Sequence, residues 1–415
     1  MTSRKRTAAY LGLACTVAML ASACGSDDEA GGGGEGGGGI AAEGTVKVGL
    51  VNHLSGPNAA GSEALRAGVE ARFATYESEG GACAGDLDFE VVEADDQSSP
   101  QGNLTAVQSL VQQEEVYAII SASPFFNGGI GWMTTQGAQT PVVGYALDGP
   151  QPQWLEFDNN LFSAFPLPVA DDVYSSLGDH LAGKGATKLA GVSFAAESSQ
   201  AGLANGLASA EAAGVEVVYE NTNVQFGSTD VGPIVLGILD SGADSVYLAI
   251  TPDSGLAVVA GLRQAGWDGT ILLPTGYGPE LVESGVGAQI AQGVDFTTSI
   301  APYELGSDAA VRLAEAIAQQ TGDEVGTVGF YENVGWVSTD AFLHGLDAAG
   351  CDATQQELMD TMRGLTDFDA GGLYPSALPF DSKDYEQSCS WYLTLTGEEY
   401  VLDGDEATCG GLVDA

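Results

Sequence analysis

Residues 46–79 read VKVGLVNHLSGPNAAGSEALRAGVEARFATYESE, and this stretch decides the fold class. Its first part, Val46 to Val51, is a short apolar run of the length of a buried strand. A long helical stretch follows from about Gly61 to Glu79. A strand followed at once by a helix is the repeating unit of α/β proteins.

The strand-then-helix order continues downstream of this stretch. The next predicted strands are Leu87 to Glu93, Val116 to Ile120 and Pro141 to Tyr145. Helices are predicted between them, the last near Asn127 to Gly137. Because the strands are continuously apolar, this part of the chain predicts a parallel sheet with helices on both faces.

A second unit with the same rhythm begins after Asn160. Its predicted strands are Leu189 to Ser193, Val215 to Tyr219, Ser245 to Ile250 and Ile271 to Leu273. Two such units form a cleft between them, where folds of this kind bind ligands. The helices after Asp308 and the final hairpin, Trp391 to Leu402, suggest that the chain returns first to one unit and then to the other.

The first 24 residues are typical of an export signal. Arg4, Lys5 and Arg6 precede an apolar stretch from Ala8 to Ala23, which is shorter than the ~18–20 apolar residues of a spanning helix. It ends in Leu20-Ala21-Ser22-Ala23-Cys24, which resembles a bacterial lipobox and predicts lipidation of Cys24. An ordinary secretory signal with an incidental cysteine is the alternative. Residues 25–44 are acidic and glycine-rich, as in a flexible tether.

The composition is strongly acidic. Twelve Lys and Arg stand against 57 Asp and Glu, which gives a formal net charge of −45. Such a chain is a poor partner for nucleic acid or for an anionic membrane surface. Solvation and mutual repulsion outside the cell explain the charge most simply. Steering of cationic ligands is the weaker alternative, because exposed charges are screened within about 8–10 Å.

Six cysteines include Cys15 and Cys24 in the signal region, so four remain for the exported domain. An even number in an exported chain is typical of disulfides. Cys389 and Cys409 flank the predicted final hairpin and are expected to pair, which leaves Cys83 with Cys351. The three histidines and the cysteines have no tight spacing, so no metal site is predicted. His53, beside a turn, is expected on the surface.

These features together resemble type I periplasmic-binding proteins of the branched-chain amino acid class. The resemblance rests on Val46-Lys47-Val48-Gly49-Leu50 with Leu54-Ser55-Gly56-Pro57, on Asp95-Asp96, on Gly202-Leu203-Ala204 and on Gly261-Leu262-Arg263-Gln264-Ala265-Gly266. It implies two Rossmann-like lobes with parallel sheets, joined by three crossovers near Phe165, Thr298 and Phe380. Lobe 1 is then expected at 45–165 and 299–380, and lobe 2 at 166–298 and 381–415.

The resemblance also implies where a ligand binds. In the family, loops after the third and fourth strands of the first lobe hold the ligand's carboxylate, which by position gives Ser121, Ala122, Ser123, Tyr145 and Ala146. A serine-rich loop before a helix suits an anion, although the serines suit helix N-capping equally well. The second lobe would contribute Ser199, Thr251 and Tyr277, and Phe125, Phe126 and Tyr331 are candidates for the side-chain end of the cleft.

Amino-acid-binding members often carry an acid near the third of these second-lobe positions. Here that position is the neutral Thr275-Gly276-Tyr277. An unpaired ammonium group in a closed cleft costs several kcal/mol. An α-amino acid ligand therefore requires that Glu197 or Asp148 rotates in.

The expected protein is a monomeric, lipid-anchored solute-binding protein on the outer face of the bacterial membrane, which delivers a small molecule to ABC permease subunits. A ligand sensor that presents its ligand to a separate receptor is the alternative, and a neighbouring permease and ATPase gene pair would discriminate. No Gly-x-Ser-x-Gly elbow, Walker loop or His-Glu-x-x-His occurs, so neither an enzyme nor a cofactor is predicted.

Overall fold

The computed structural model describes residues 44–149, 151–167, 172–228, 230–381 and 388–413. The predicted signal, Cys24 and most of the tether at 25–44 lie outside these ranges. Within the described ranges, no helix combines the length and the apolarity needed to cross a bilayer.

The first sheet contains five parallel strands in the order β2-β1-β3-β4-β5. They are β1 (Thr45–Asn52), β2 (Asp88–Asp95), β3 (Ala118–Ser121), β4 (Val142–Gly144) and β5 (Leu161–Ser163). Along the same part of the chain lie the helices α1 (Ser62–Glu79), α2 (Pro100–Gln112) and the four-residue α3 (Ile130–Met133). The strands in the middle of this sheet, β1, β3 and β4, are almost wholly buried, as their apolar sequences predict.

The second sheet is mixed, with the order β12-β11-β10-β9-β8-β6-β7 and with β13 paired to β11. Its strands are β6 (Lys188–Phe194), β7 (Glu216–Val224), β8 (Ser245–Ala249), β9 (Thr270–Leu272), β10 (Val294–Thr298), β11 (Ser388–Thr396), β12 (Glu399–Leu402) and β13 (Thr408–Gly410). The strands from β6 to β10 are parallel, whereas β11 runs antiparallel to β10. The helices along it are α4 (Ser176–Gly183), α5 (Glu197–Ala212), α6 (Gly232–Ser241), α7 (Pro252–Gln264), α8 (Pro279–Glu283) and α9 (Val286–Ile290).

After β10 the chain returns to the first sheet. The helices α10 (Asp308–Thr321), α11 (Phe330–Ala349) and α12 (Gln355–Met362) contribute Leu313, Phe342 and Leu358 to the same core as Val48 and Ile120. Strands β11 to β13 then complete the second sheet. The α/β class and the two Rossmann-like halves are confirmed, with the correction that the second sheet is mixed rather than wholly parallel. The exact lobe bounds stay a prediction.

Both sheets are covered by helices on both faces. Leu65, Trp336 and Phe342 pack on one face of the first sheet, and Val107 and Met133 pack on the other. In the second sheet, Val258 and Leu262 lie on one face and Leu181 and Leu203 on the other. Each half therefore has its own apolar core on each side of its sheet.

Two disulfides join distant parts of the chain. Cys83 pairs with Cys351, which links the end of α1 to the end of α11, and Cys389 pairs with Cys409 between β11 and β13. Both agree with the pairs expected from the sequence.

Candidate ligand-binding cleft

A cleft of about 410 Å³ lies where the carboxyl ends of strands from both sheets come together. From the first sheet, Tyr145 and Leu147 follow β4, and Phe165 follows β5. From the second sheet, Phe194 ends β6 and Thr251 follows β8. Ligands of open parallel sheets bind at these strand ends, because the loops there leave a crevice. The volume suits a small organic molecule.

A close approach of β3 and β4 shapes the first-sheet side. A Cβ on Gly144 would overlap the carbonyl oxygen of Ser121, so glycine allows the two strand ends to lie this close. Tyr145 follows directly and stacks on Phe165, with ring centroids 4.3 Å apart and an interplanar angle of 19°. This stacked pair forms part of the first-sheet wall of the cleft.

A second stacked pair belongs to the other side. The rings of Phe194 and Phe226 lie 4.2 Å apart at 20°, and both residues line the cleft. With Tyr247, Tyr277, Phe330 and Tyr331, eight of the lining residues are aromatic. The walls therefore offer a ligand mainly apolar ring surface.

The start of α11 supplies a further part of the lining. Phe330, Tyr331, Asn333 and Val334 all face the cleft. The Tyr331 ring packs so closely on Gly61 that a Cβ there would overlap it, and the Asn58 amide donates to the Tyr331 hydroxyl at 3.2 Å. The β1–α1 loop thus fixes this ring in place.

Five of the nine ligand-site residues predicted from the sequence line the cleft, namely Tyr145, Ser199, Thr251, Tyr277 and Tyr331. The other four lie beneath its first-sheet wall and are buried, namely Ser121, Ala122, Ser123 and Ala146. A ligand role for these residues stays a prediction.

Hydrogen bonds occupy several of the predicted hydroxyl groups. The Ser123 hydroxyl donates to Asp96 and accepts from the backbone N–H of Phe125 at 3.1 Å. The Ser199 hydroxyl donates to the carbonyl of Ala249 at 2.5 Å and accepts from the backbone N–H of Phe194 at 2.9 Å. These groups hold loops against strands, which is the capping-like alternative that the sequence left open.

The segment after β3 differs from the predicted helix near 127–137. It contains a short 3-10 turn, Phe126–Gly128, followed by α3 with only four residues. Phe126 packs under the loop against Trp154, at 5.7 Å between ring centroids, and does not reach the cleft. The described segment after Ser123 therefore forms no long helix, and the helix-dipole argument for an anion at this loop is lost.

Contacts across the cleft join the two sides. The Tyr277 hydroxyl donates to Glu304, whose other carboxylate oxygen accepts from the Thr327 hydroxyl at 2.5 Å. At the opposite end, the Gln151 amide donates to Glu197 at 3.4 Å. Phe125 lies 6.2 Å from Phe226 between ring centroids. The structure is therefore a conformation in which the two walls touch around the cleft.

Two buried carboxyl groups lie near these contacts. Burial raises the pKa of Asp148 to about 7, and repulsion by Glu197 adds to the shift, while a hydrogen bond from the Trp154 indole opposes it. Burial likewise raises the pKa of Glu332 to about 7, with further repulsion from Glu280 and Asp323. Each group retains its proton at a pH where an exposed carboxyl group has lost it.

His53 was expected on the surface, and this prediction is wrong. Its ring is fully buried at the end of β1, 5.1 Å from the Tyr331 ring between centroids. Burial lowers the pKa of His53 to about 4, which leaves the imidazole neutral near neutral pH. The buried ring thus supports the wall that carries Tyr331.

Four further lining residues are not among the ligand contacts predicted from the sequence, namely Phe165, Phe194, Phe226 and Asn333. Phe194 comes directly after the predicted strand Leu189 to Ser193, so an aromatic residue at a parallel-strand end was the available signal there. Phe226 had no such signal, because the predicted strand before it ends at Tyr219, whereas the observed one continues to Val224. Asn333 had no such signal, since it lies inside a predicted helix.

Comparisons with known proteins agree with this architecture. A sequence model of the periplasmic binding protein family matches residues 45–394. A search of the curated proteins found no match.

Similar solved structures include a leucine-binding protein of Thermotoga maritima, with 17% identity and a TM-score of 0.70 over 86% of this chain and 98% of that one. A solute-binding protein of an ABC transporter from R. palustris, in complex with benzoate, has 18% identity and a TM-score of 0.70 over 89% and 98%. A fatty acid ABC transporter substrate-binding protein from Thermomonospora curvata has 17% identity and a TM-score of 0.69 over 89% and 94%. At these identities the likeness shows the fold.

Proposed function

The chain belongs to the periplasmic binding protein family, and from this premise we propose that it captures a small organic molecule outside the cytoplasm for an ABC importer. The observation that carries the proposal is the aromatic cleft at the strand ends of both sheets, with contacts across it that close the two walls. The family consists of binding proteins, and no catalytic step is proposed.

The ligand classes open to this proposal are branched-chain amino acids and related amides and carboxylates. The similar structures are named for different ligands, which include leucine, benzoate and fatty acids. Their names support a small molecule with an apolar part. The choice between ligand classes depends on the cleft of this chain.

Closure of the two lobes around the ligand is part of the proposal. Lobe 1 at 45–165 and 299–380 would move against lobe 2 at 166–298 and 381–415. A ligand favours the closed form only through contacts that it makes in that form alone. Tyr277 and Glu304 are suited to this role, because their hydrogen bond spans the two sides.

Anchoring by a lipid on Cys24 completes the proposal. It is supported by the lipobox-like sequence that ends at Cys24 and by the glycine-rich segment after it. Cells that express the chain would be labelled with radioactive palmitate, and the Cys24→Ala variant should lose the label. Label retained by that variant would refute the anchor and leave the binding function untouched.

A thermal-shift screen of the domain without its signal tests the binding function. The screen should contain amino acids, amides, aromatic acids and short peptides. A ligand at 100 times its Kd adds about 2.7 kcal/mol to the free energy of unfolding, which is a readily measured shift. A screen in which no compound raises the melting temperature would contradict the proposed function.

A further inference from the structure

The described residues that line the cleft are all uncharged. Among the described residues that line it, none is an Asp, Glu, Lys, Arg or His. A buried charge without a partner costs several kcal/mol, so a charged ligand needs a counter-charge or a dense set of hydrogen-bond donors. The described lining offers no counter-charge.

The cationic side chains of the described ranges lie outside the cleft lining, and several of them are paired with carboxylates. Arg72 pairs with Asp340 at 2.6 Å between α1 and α11, Arg312 pairs with Glu79 at 2.7 Å, and Lys184 pairs with Asp403 at 3.0 Å. None of the described lysines and arginines lines the cleft. A carboxylate ligand would therefore face an acidic protein without a basic partner.

Two acidic groups beside the cleft, Glu304 and Glu332, do not line it. Glu304 accepts from Tyr277, whose ring stands in the lining in front of it. The Glu332 carboxyl group lies against Gly329 with Glu280 close by, and burial keeps its pKa near 7. Neither side chain is part of the lining, so the described lining residues offer no carboxylate to a ligand ammonium group.

Uncharged polar atoms remain at the first turn of α11 and at the end of β10. Asn333 is buried and only 7% exposed. Its side-chain amide donates to the carbonyl of Val328 at 3.2 Å. Its Oδ1 accepts no hydrogen bond, and the hydroxyl of Thr297 has no partner either. Both residues line the cleft. An acceptor of this kind requires an N–H or O–H donor from the ligand.

We propose that the cleft binds an uncharged molecule with an aromatic or similarly apolar body and one N–H or O–H donor, which the Asn333 Oδ1 accepts. The proposal rests on the binding function proposed above and names its ligand class. A primary amide fits this description, whereas a carboxylate or an amino acid does not. The stacked pairs Tyr145–Phe165 and Phe194–Phe226 supply the apolar walls.

Four probes with the same ring test the proposal by calorimetry. They are benzamide, benzoate, benzylamine and phenylalanine, which present a neutral, an anionic, a cationic and a zwitterionic head group. We expect benzamide to bind at least about tenfold more tightly than the other three, a difference of about 1.4 kcal/mol. If a charged probe equals or exceeds benzamide, or if benzamide gives no heat at millimolar concentration, the ligand class is wrong.

The same experiment separates the two proposals. Tighter binding of benzoate or phenylalanine would refute the uncharged ligand and leave the binding function intact. Failure of every compound in the wider screen would refute the binding function itself.

A variant of Asn333 gives a second test. Asn333→Asp keeps the shape and the Oδ1 acceptor and gives up the hydrogen bond to Val328. At about pH 8.5, above the pKa of about 7 of the buried Asp148 and Glu332, it adds a negative charge beside the ligand, so benzylamine should gain at least about tenfold in affinity relative to benzamide. Gln319→Glu adds the same charge on the exposed surface of α10 and should leave the ratio unchanged. An unchanged ratio in Asn333→Asp would show that Asn333 does not face the ligand.

Discussion

At the scale of single residues, Tyr277 has two roles in the structure. Its ring lines the cleft, and its hydroxyl donates to Glu304 on the other side. Burial and the neighbouring Glu304 raise the pKa of Tyr277 well above its ordinary value, so the hydroxyl stays protonated and remains a donor. The residue therefore connects ligand binding with contact between the two walls.

Tyr277→Phe should weaken ligand binding by about tenfold while the ring contact is kept, because a hydrogen bond to a charged group contributes about 1.5–3 kcal/mol. Calorimetry with the best ligand of the screen measures the change. Tyr303→Phe, which leaves the bond between Tyr277 and Glu304 in place, is the control. Equal affinity of Tyr277→Phe and the unmodified chain would exclude this bond from closure.

Asp148 gives the stability of the protein a pH dependence. Its ordinary pKa of 3.8 is raised to about 7 in the folded chain, so between these values the folded state holds a proton that the unfolded state has lost. The free energy of unfolding must then fall as the pH rises through this window and level off above it. Glu332 contributes with the same sign.

In Asp148→Asn the free energy of unfolding should fall less as the pH rises. It should also be higher at about pH 8 by about 1–3 kcal/mol, since the cost of deprotonating a buried group is removed. Urea unfolding at about pH 5 and about pH 8 measures both effects. Asp158→Asn, at an exposed position, is the control and should change neither value. If the free energy of unfolding of Asp148→Asn fell more steeply with pH than that of the unmodified chain, the predicted effect of Asp148 would have the wrong sign.

At the scale of elements, the packing of α1 on α11 stabilises the first-sheet wall of the cleft. A Cβ on Gly68 would overlap the carbonyl oxygen of Glu332, and one on Gly335 would overlap that of Leu65. The two helices therefore touch through their backbones, and the buried pair Arg72–Asp340 joins them further along. This contact sets the position of Tyr331 and Asn333 at the start of α11.

Gly68→Ala should destabilise the protein by about 1–3 kcal/mol, because the added methyl group pushes the helices apart. Gly202→Ala is a matched helical change with open space around the new Cβ, and it should stabilise by about 0.4–1 kcal/mol. Thermal unfolding of the two variants compares them directly. A Gly68→Ala variant as stable as Gly202→Ala would show that the helices are not in contact at this point.

The elements also show where prediction from the sequence succeeds. Helix α1 and strand β1 were predicted almost to the residue, because a long helix and a continuous apolar strand leave strong signals. The three-residue strand β5 was missed, since so short a run has no periodicity. The predicted helix near 127–137 is mostly replaced by turns, and four glycines in that segment explain this.

The candidate site was predictable only in part, for a related reason. Strand ends can be read from the sequence, and the family resemblance assigned ligand contacts to Tyr145, Thr251 and Tyr277 at such ends; all three line the cleft. Which serine hydroxyl is free depends on contacts between distant segments, such as that of Ser123 with Asp96. Pattern analysis of one chain does not contain that information.

At the scale of the whole molecule, the Cys83–Cys351 disulfide closes a span of 268 residues, whereas Cys389–Cys409 closes one of 20. In the chain-entropy account, the longer loop restrains the unfolded state more strongly. Replacing Cys83 and Cys351 by serine should therefore cost about 5–6 kcal/mol, against about 3 kcal/mol for Cys389 and Cys409. Urea unfolding of both double variants provides the comparison, and a larger loss from the short loop would contradict this account.

The central inference for the whole molecule is that the ligand lies in the cleft between the two sheets. Gly202 lines this cleft in the second turn of α5, and its surroundings leave open space for a Cβ. Gly202→Trp should therefore fill the cleft without disturbing the fold. Gly232→Trp, at an exposed and equally open position on α6, adds the same ring elsewhere.

Calorimetric titration of both variants with the best ligand from the screen is the most direct test. Gly202→Trp should lose at least about tenfold in affinity, or about 1.4 kcal/mol, with an unchanged melting temperature of the free protein. Gly232→Trp should bind as the unmodified chain does. Full affinity in Gly202→Trp would show that the ligand binds elsewhere and would contradict the account.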